Sequence, residues 1–174
     1  MKKVLFLIPN LAHGGAEKVL VNLVNNLDKT KFDVTVQTLF DVGVNRKYLN
    51  SDVKYIGGYK KMPRGNSHIM KLFSPERLYT HFIKEDYDII VSYLEGPTAR
   101  IASGCTNKKT KLVSWIHIEQ HTKKIASGSF RSYKEAFECY SKFNKTICVS
   151  NTVKEDFQSI FNLKNSVDVL YNTN

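Results

Sequence analysis

Residues 4–27 read VLFLIPNLAHGGAEKVLVNLVNNL. The unbroken apolar run from Val4 to Ile8, halted by Pro9 and Asn10, predicts a buried parallel strand. Past the two glycines, Val19, Leu20, Leu23, Val24 and Leu27 recur at helical spacing and predict an amphipathic helix over 16–27. The pair between them, Gly14 and Gly15, has two readings. It lets the chain turn tightly, or it keeps side chains away from a helix N-terminus whose free N–H groups and dipole favour an anion. The dinucleotide fingerprint GxGxxG and the phosphate loop GxxxxGK[ST] are both missing, which argues against a nicotinamide-dependent oxidoreductase and a P-loop ATPase.

The same alternation continues along the chain. Further strands are predicted at 32–40, 53–56, 87–92, 111–116, 145–149 and 166–170, with 41–52 turn-like. Ser74-Pro75 opens a helix over 75–84 with Leu78, Phe82 and Ile83 facing inward. A short helix passes through Ala99, Ile101 and Ala102, another covers 133–142, and a last one is capped by Ser150 or Asn151. The strands are apolar throughout, the signature of a parallel sheet covered on both faces: an α/β, Rossmann-like domain. With 174 residues the chain fits one domain.

The three cysteines, Cys105, Cys139 and Cys148, have no CxxC spacing and read as free thiols in or near the core. Met1-Lys2-Lys3 ahead of the first apolar run suits a first strand better than a secretory signal, so a cytoplasmic protein is expected. The net charge of +10 implies an acidic partner: nucleic acid, an anionic membrane surface or a phosphorylated substrate. Zinc-finger, RNA-recognition and GxxG patterns are missing, so nucleic acid is not expected. Residues 57–71 carry Lys60, Lys61, Arg64, His68 and Lys71 without an acid, interleaved with Met62, Ile69 and Met70. That mixture suits either a solvated loop or a surface that meets anionic head groups with some apolar insertion.

In a doubly wound sheet, sites form where loops leave the C-terminal ends of strands. Four loops qualify: His13 with Gly14 and Gly15; Glu95 with Gly96; His117 with Glu119, Gln120 and His121; and Ser150 with Asn151. His117 either orients a hydroxyl, meets a phosphate or acts as a base, or else fixes its loop. Glu95 either accepts from a sugar hydroxyl or caps the helix near Thr98. Trp115 reads as packing under the His117 loop. No metal is expected at His117, Glu119 and His121, since HxExH at a strand exit matches no ligand motif, and no G-x-S-x-G elbow is present.

Taken in order, IPNLAHGGAEKVLVNLVNNL, IIVSYLEGPTARIA, WIH, ICVSNTVKEDF and VDVLYNTN resemble the N-terminal domain of family 4 glycosyltransferases, retaining enzymes of the GT-B fold. The resemblance implies one half of a GT-B fold on 1–174, the acceptor-side domain. The donor-binding domain, with its Arg/Lys pair and spaced glutamates, is expected to follow VLYNTN and is absent from these residues. It implies transfer of a sugar from a nucleotide-sugar to a lipid-linked or polysaccharide acceptor in cell-surface glycan synthesis, such as capsular polysaccharide or lipopolysaccharide. In that scheme Gly14 and Gly15 line the donor-phosphate cleft and His117 sits at the reaction centre. His13, Glu95, Glu119, Ser150 and Asn151 belong to the acceptor side. Lys60, Lys61, Arg64 and Lys71 face the inner leaflet of the plasma membrane. No cofactor is expected on this domain, and it is expected to be nearly inactive by itself. Two other readings share the features: a sugar-nucleotide epimerase of the same architecture, and a non-catalytic anion-binding α/β module.

Overall fold

The computed structural model describes residues 1–61 and 65–172, so Arg64 and Met62 from the basic segment lie outside the described residues. Seven parallel strands form one sheet: β1 (Lys2–Ile8), β2 (Phe32–Thr38), β3 (Lys54–Ile56), β4 (Ile89–Tyr93), β5 (Lys111–Ile116), β6 (Lys145–Cys148) and β7 (Ser166–Val169). Their spatial order is β3-β2-β1-β4-β5-β6-β7. The chain first runs outward from β1 to β3, then returns to pair β4 against the other side of β1, with Val4 opposite Ile89. The order therefore reverses between β1 and β4, and their C-terminal ends flank the crevice where ligands of such sheets bind.

Helices cover both faces: α1 (Gly15–Asn26), α2 (Asn66–Lys71), α3 (Pro75–Phe82), α4 (Pro97–Ala102), α5 (Lys123–Ala126), α6 (Tyr133–Ser141) and α7 (Asn151–Phe161). Side chains of β1 alternate between the two cores. Leu5 and Leu7 pack on the face of α3, α4, α6 and α7. Val4, Phe6 and Ile8 pack on the face of α1, with Leu20, Val21 and Val24. Burial on both faces is what makes the strand continuously apolar.

Helix starts follow from local chemistry. Ser74 accepts from the Arg77 N–H at 3.3 Å with Pro75 behind it. Ser150 accepts from the Val153 N–H at 3.2 Å. Each cap of this kind contributes about 1 kcal/mol. Three elements lie outside the sequence expectation: α2, α5 and a 3-10 turn at Asn45–Tyr48. All are too short for apolar periodicity to develop. α2 starts behind Gly65, whose φ is 76°, and α5 is a single turn opened by Thr122. The second strand stops at Thr38 rather than 40, with Phe40 making an isolated bridge to Tyr59. Cys139 and Cys148 are buried and Cys105 is half-buried, all as free thiols.

The fully buried Arg100 of α4 was invisible in the sequence. Its Nε and Nη2 donate to Glu135 of α6 at 3.0 and 3.1 Å. Nη1 and Nη2 also donate to the Met70 and Phe73 carbonyls at 2.8 and 2.7 Å. Burial alone would raise the Glu135 carboxyl, but Arg100 and Arg131 outweigh it and hold it below the ordinary glutamate range. Removing one partner of such a pair strands the other charge in the core. Glu135→Ala should therefore lower unfolding stability by about 3–5 kcal/mol in urea denaturation, whereas a loss under about 1 kcal/mol would show that the pair does not hold α2 and α6 together.

Candidate functional site

The loops leaving β1, β4 and β5 lie side by side at one edge of the sheet, because β1, β4 and β5 are consecutive in it. The first carries His13, Gly14 and Gly15, all exposed. Gly14 is the N-cap of α1 with φ −68° and ψ 160°, a conformation open to any residue. A Cβ there would instead run into the carboxylate of Glu17, the end of a flexible side chain that would have to swing aside. A Cβ on Gly15 would meet nothing within 4 Å. Neither glycine is needed for an unusual backbone angle. Gly15 leaves open space at the start of α1, while the Glu17 carboxylate lies against Gly14.

The β4 exit is strained. Leu94 has φ 81° and Gly96 φ 87°, a region that costs a leucine of order 1 kcal/mol or more. The distortion is held in place by hydrogen bonds. Thr98 Oγ1 donates to the Leu94 carbonyl at 2.8 Å, and the Gly96 N–H donates to the buried Tyr140 hydroxyl at 3.2 Å. Its product is the placement of Glu95, whose Oε2 accepts from the His117 N–H at 3.0 Å. Burial pushes the Glu95 carboxyl up, and the N–H groups of His117, Glu95 itself and Ile118 bring it only part of the way back. Glu95 does not cap α4, which has no side-chain cap. It latches one strand exit to the next.

The β5 exit is latched a second time. Asp156 of α7 accepts from the Gln120 N–H at 2.6 Å and the His121 N–H at 3.0 Å. Between the two carboxylates, Ile118 and Glu119 remain exposed. Asp156 was missed by sequence reading because it sits on the opening turns of an ordinary amphipathic helix with no motif around it.

His117 turns inward from this loop. Its ring lies 4.5 Å from Tyr93 and 6.3 Å from Trp115, centroid to centroid. Trp115 is 6% exposed and does pack beneath His117. Burial lowers the imidazole pKa to about 4, so the ring is neutral at physiological pH. Among the described residues, His117 Nε2, Tyr93 Oη and Trp115 Nε1 are buried without a hydrogen-bond partner. Three unsatisfied polar atoms in one aromatic stack are unusual, since buried polar groups in folded proteins are nearly always paired. Burial also raises the Tyr93 hydroxyl, with Glu17 adding to the effect.

Across from His117 and Ile118 stand Gly15, Ala16, Lys18, Val19 and Asn22 of α1, with Asn172 closing one end of a cleft of about 540 Å³. The structure thus brings Gly15 and His117 into one cleft. The other expected residues among those described do not line it. The Ser150 hydroxyl is engaged in capping α7, and Asn151 donates to the Tyr171 hydroxyl at 3.1 Å. His121 approaches Glu119 and Asp156 at 3.8 and 3.7 Å. Lys60 and Lys61 are exposed and Lys71 half-buried, and Lys61 lines a separate apolar pocket at α2 and α3.

The family model described as Glycosyltransferase Family 4 matches residues 13–173. The chain belongs to glycosyltransferase family 4. Among curated proteins nothing matches it. Among solved structures it is similar to Anabaena Alr3699/HepE, crystallised with UDP and glucose, with 17% identity and a TM-score of 0.63. That match covers 100% of this chain and 45% of the other, so the chain spans somewhat less than half the length of HepE. The likeness places the seven-stranded sheet as one Rossmann-like half of a GT-B fold.

Because the His117 pKa is depressed in the fold, its neutral form stabilises the native state fully above about pH 6.5. That contribution is lost as pH falls toward about 4, and on the order of 3 kcal/mol goes with it. Glu95 acts in the opposite sense: its raised pKa penalises the native state at neutral pH, and acidification relieves the penalty. In urea melts between pH 7 and 4, His117→Phe should flatten the acid loss and Glu95→Gln should steepen it, with Glu95→Gln no less stable at pH 7. Parallel pH profiles for both variants and the parent would contradict these assignments.

Proposed function

We propose that residues 1–174 form the acceptor-side wall of a glycosyltransferase cleft, and that a second, donor-binding domain supplies the other wall. The observation that carries this reading is the open space at Gly15, in the first turn of α1, set in one cleft with a neutral histidine whose Nε2 has no partner. An anion is favoured at the first of these and a hydroxyl at the second. A nucleoside-diphosphate sugar has both. The UDP and glucose held by HepE support the same class of donor.

In this scheme Gly14 and Gly15 admit the diphosphate to the amide groups at the start of α1, where the charge that develops as it leaves is stabilised. Lys18, on the same wall of the cleft, adds a cation. The bond from the anomeric carbon to the phosphate oxygen breaks, the bond to the acceptor oxygen forms, and the acceptor's proton passes to the departing diphosphate. His117 hydrogen-bonds a hydroxyl of the transferred sugar through Nε2 and holds it in register. Glu95 keeps the His117 backbone in place. The exposed His13 and Glu119, together with Ser150 and Asn151, form the acceptor side.

The acceptor is lipid-linked or a growing polysaccharide, in the synthesis of a cell-surface glycan such as capsular polysaccharide or lipopolysaccharide. The protein works in the cytoplasm, attached to the inner face of the plasma membrane through the basic segment that contains Lys60, Lys61, Arg64 and Lys71. No helix among the described residues is long and apolar enough to cross a membrane, so attachment on this domain is peripheral.

The test is turnover. Joined to a donor-binding domain, the chain should transfer sugar from a nucleotide-sugar, and residues 1–174 alone should not rise above background. His117→Ala should cut kcat by about a hundredfold at pH 7 while circular dichroism shows the fold retained. An unchanged kcat would remove His117 from the reaction centre, and clear transfer by the isolated chain would sink the shared-cleft scheme.

A further inference from the structure

A second concave site lies on the sheet face opposite α1. Phe40, just past β2, and Leu78 of α3 form its buried floor, and Met70 and Phe82 are half-buried around them. Its volume is about 540 Å³. Tyr59, Ile69 and Phe73 line it while 52%, 50% and 44% exposed, and Leu72 beside them is 76% exposed. Such a concentration of large exposed apolar side chains around a pocket marks a surface that meets something apolar.

The polar groups at this pocket are all basic or neutral: exposed Lys61, Arg77 and His81, with His81 Nε2 at 2.6 Å from the Tyr59 hydroxyl. The nearby acids are engaged elsewhere. Glu76 pairs with Lys142 at 3.4 Å and Asp41 with Arg46 at 3.3 Å. Among the described residues no carboxylate pairs with Lys61 or Arg77.

The platform is also held rigid. Four successive carbonyls at the end of α2 are bound by two arginines. Arg100 takes Met70 and Phe73 at 2.8 and 2.7 Å. Arg131 takes Lys71 and Leu72 at 2.7 and 3.3 Å. Both arginines converge on Glu135. An ion pair between fully buried Arg100 and half-buried Glu135 therefore fixes a short segment that presents Ile69, Leu72 and Phe73 to the outside. A solvated loop would need no such support, whereas a preformed binding surface does.

We propose that this pocket takes one alkyl chain of an anionic membrane lipid, with the lipid phosphate meeting Lys61, Arg77 and His81. This inference rests on the membrane attachment in the reading above and not on sugar transfer. The pocket is on the far side of the sheet from the His117 stack, so a lipid held there leaves the cleft open.

The experiment titrates octyl, decyl and dodecyl phosphate, each below its aggregation threshold, into the chain and follows backbone amide shifts by NMR. Inorganic phosphate and decanol serve as controls. Affinity should rise about fourfold per added methylene until the pocket is full. Decyl phosphate should bind more tightly than decanol and lose affinity with salt, and inorganic phosphate should not bind. Ile69→Gln at the exposed mouth and Met70→Trp in the wall should each weaken decyl phosphate by about tenfold or more. Affinity that ignores chain length, or survives both substitutions, overturns the proposal. If phosphatidylglycerol vesicles still sediment the chain in that case, the basic surface stands and only the pocket fails. Concentration-dependent dimerisation that Ile69→Gln abolishes also overturns it, with a second copy of the chain as the occupant.

Discussion

The hydrogen bond from the His117 N–H to the Glu95 carboxylate joins the exits of two neighbouring strands, and the geometry of the cleft depends on it. Its cost is visible on both sides. Leu94 and Gly96 take left-handed backbone angles to aim the carboxylate, and the carboxyl itself is buried enough for its pKa to rise. Strain and desolvation at one place are tolerated in folded proteins where the surroundings over-determine the arrangement. Here the Thr98 and Tyr140 hydroxyls do so. With the backbone of His117 fixed, its ring has one place to go: against Tyr93 and over Trp115.

The same latch explains the electrostatics. A histidine at a strand exit would ordinarily titrate near pH 6.5 in water. Stacked on two aromatic rings and partly desolvated, this one stays neutral. It shares a cleft with the first turn of α1, where Gly15 leaves open space. The cleft thus combines a region that favours negative charge with a hydrogen-bonding atom that carries none. That division of labour suits a substrate with a diphosphate at one end and sugar hydroxyls at the other.

Much of this was legible in the sequence. Continuous apolar strands alternating with amphipathic helices required a parallel sheet, and strand-exit logic placed Gly14, Gly15, Glu95 and His117 at one edge before any coordinates. Ser74-Pro75 located the start of α3 for a local reason that tertiary structure did not override. What escaped depended on contacts between residues distant in the chain. Asp156 and Tyr140 sit in unremarkable helices, and nothing local shows that one will hold the Gln120 amide and the other the Gly96 amide. Arg100 reads as a surface residue of a short helix, yet it is 1% exposed. The role of Glu95 was open between a sugar ligand and a helix cap, and the structure gives it a third, because pairing across two loops leaves no periodic trace. α2 was hidden for another reason: six residues are too few for a helical pattern to stand out from a basic loop.

A neutral His117 with a free Nε2 is tested most directly by titrating that ring by NMR in the unmodified chain. A midpoint near pH 4 is expected, with a marked Nε2 shift when a nucleotide-sugar is added together with a donor-binding domain. A midpoint near the ordinary value of about 6.5, with an Nε2 signal indifferent to the nucleotide-sugar, would contradict it.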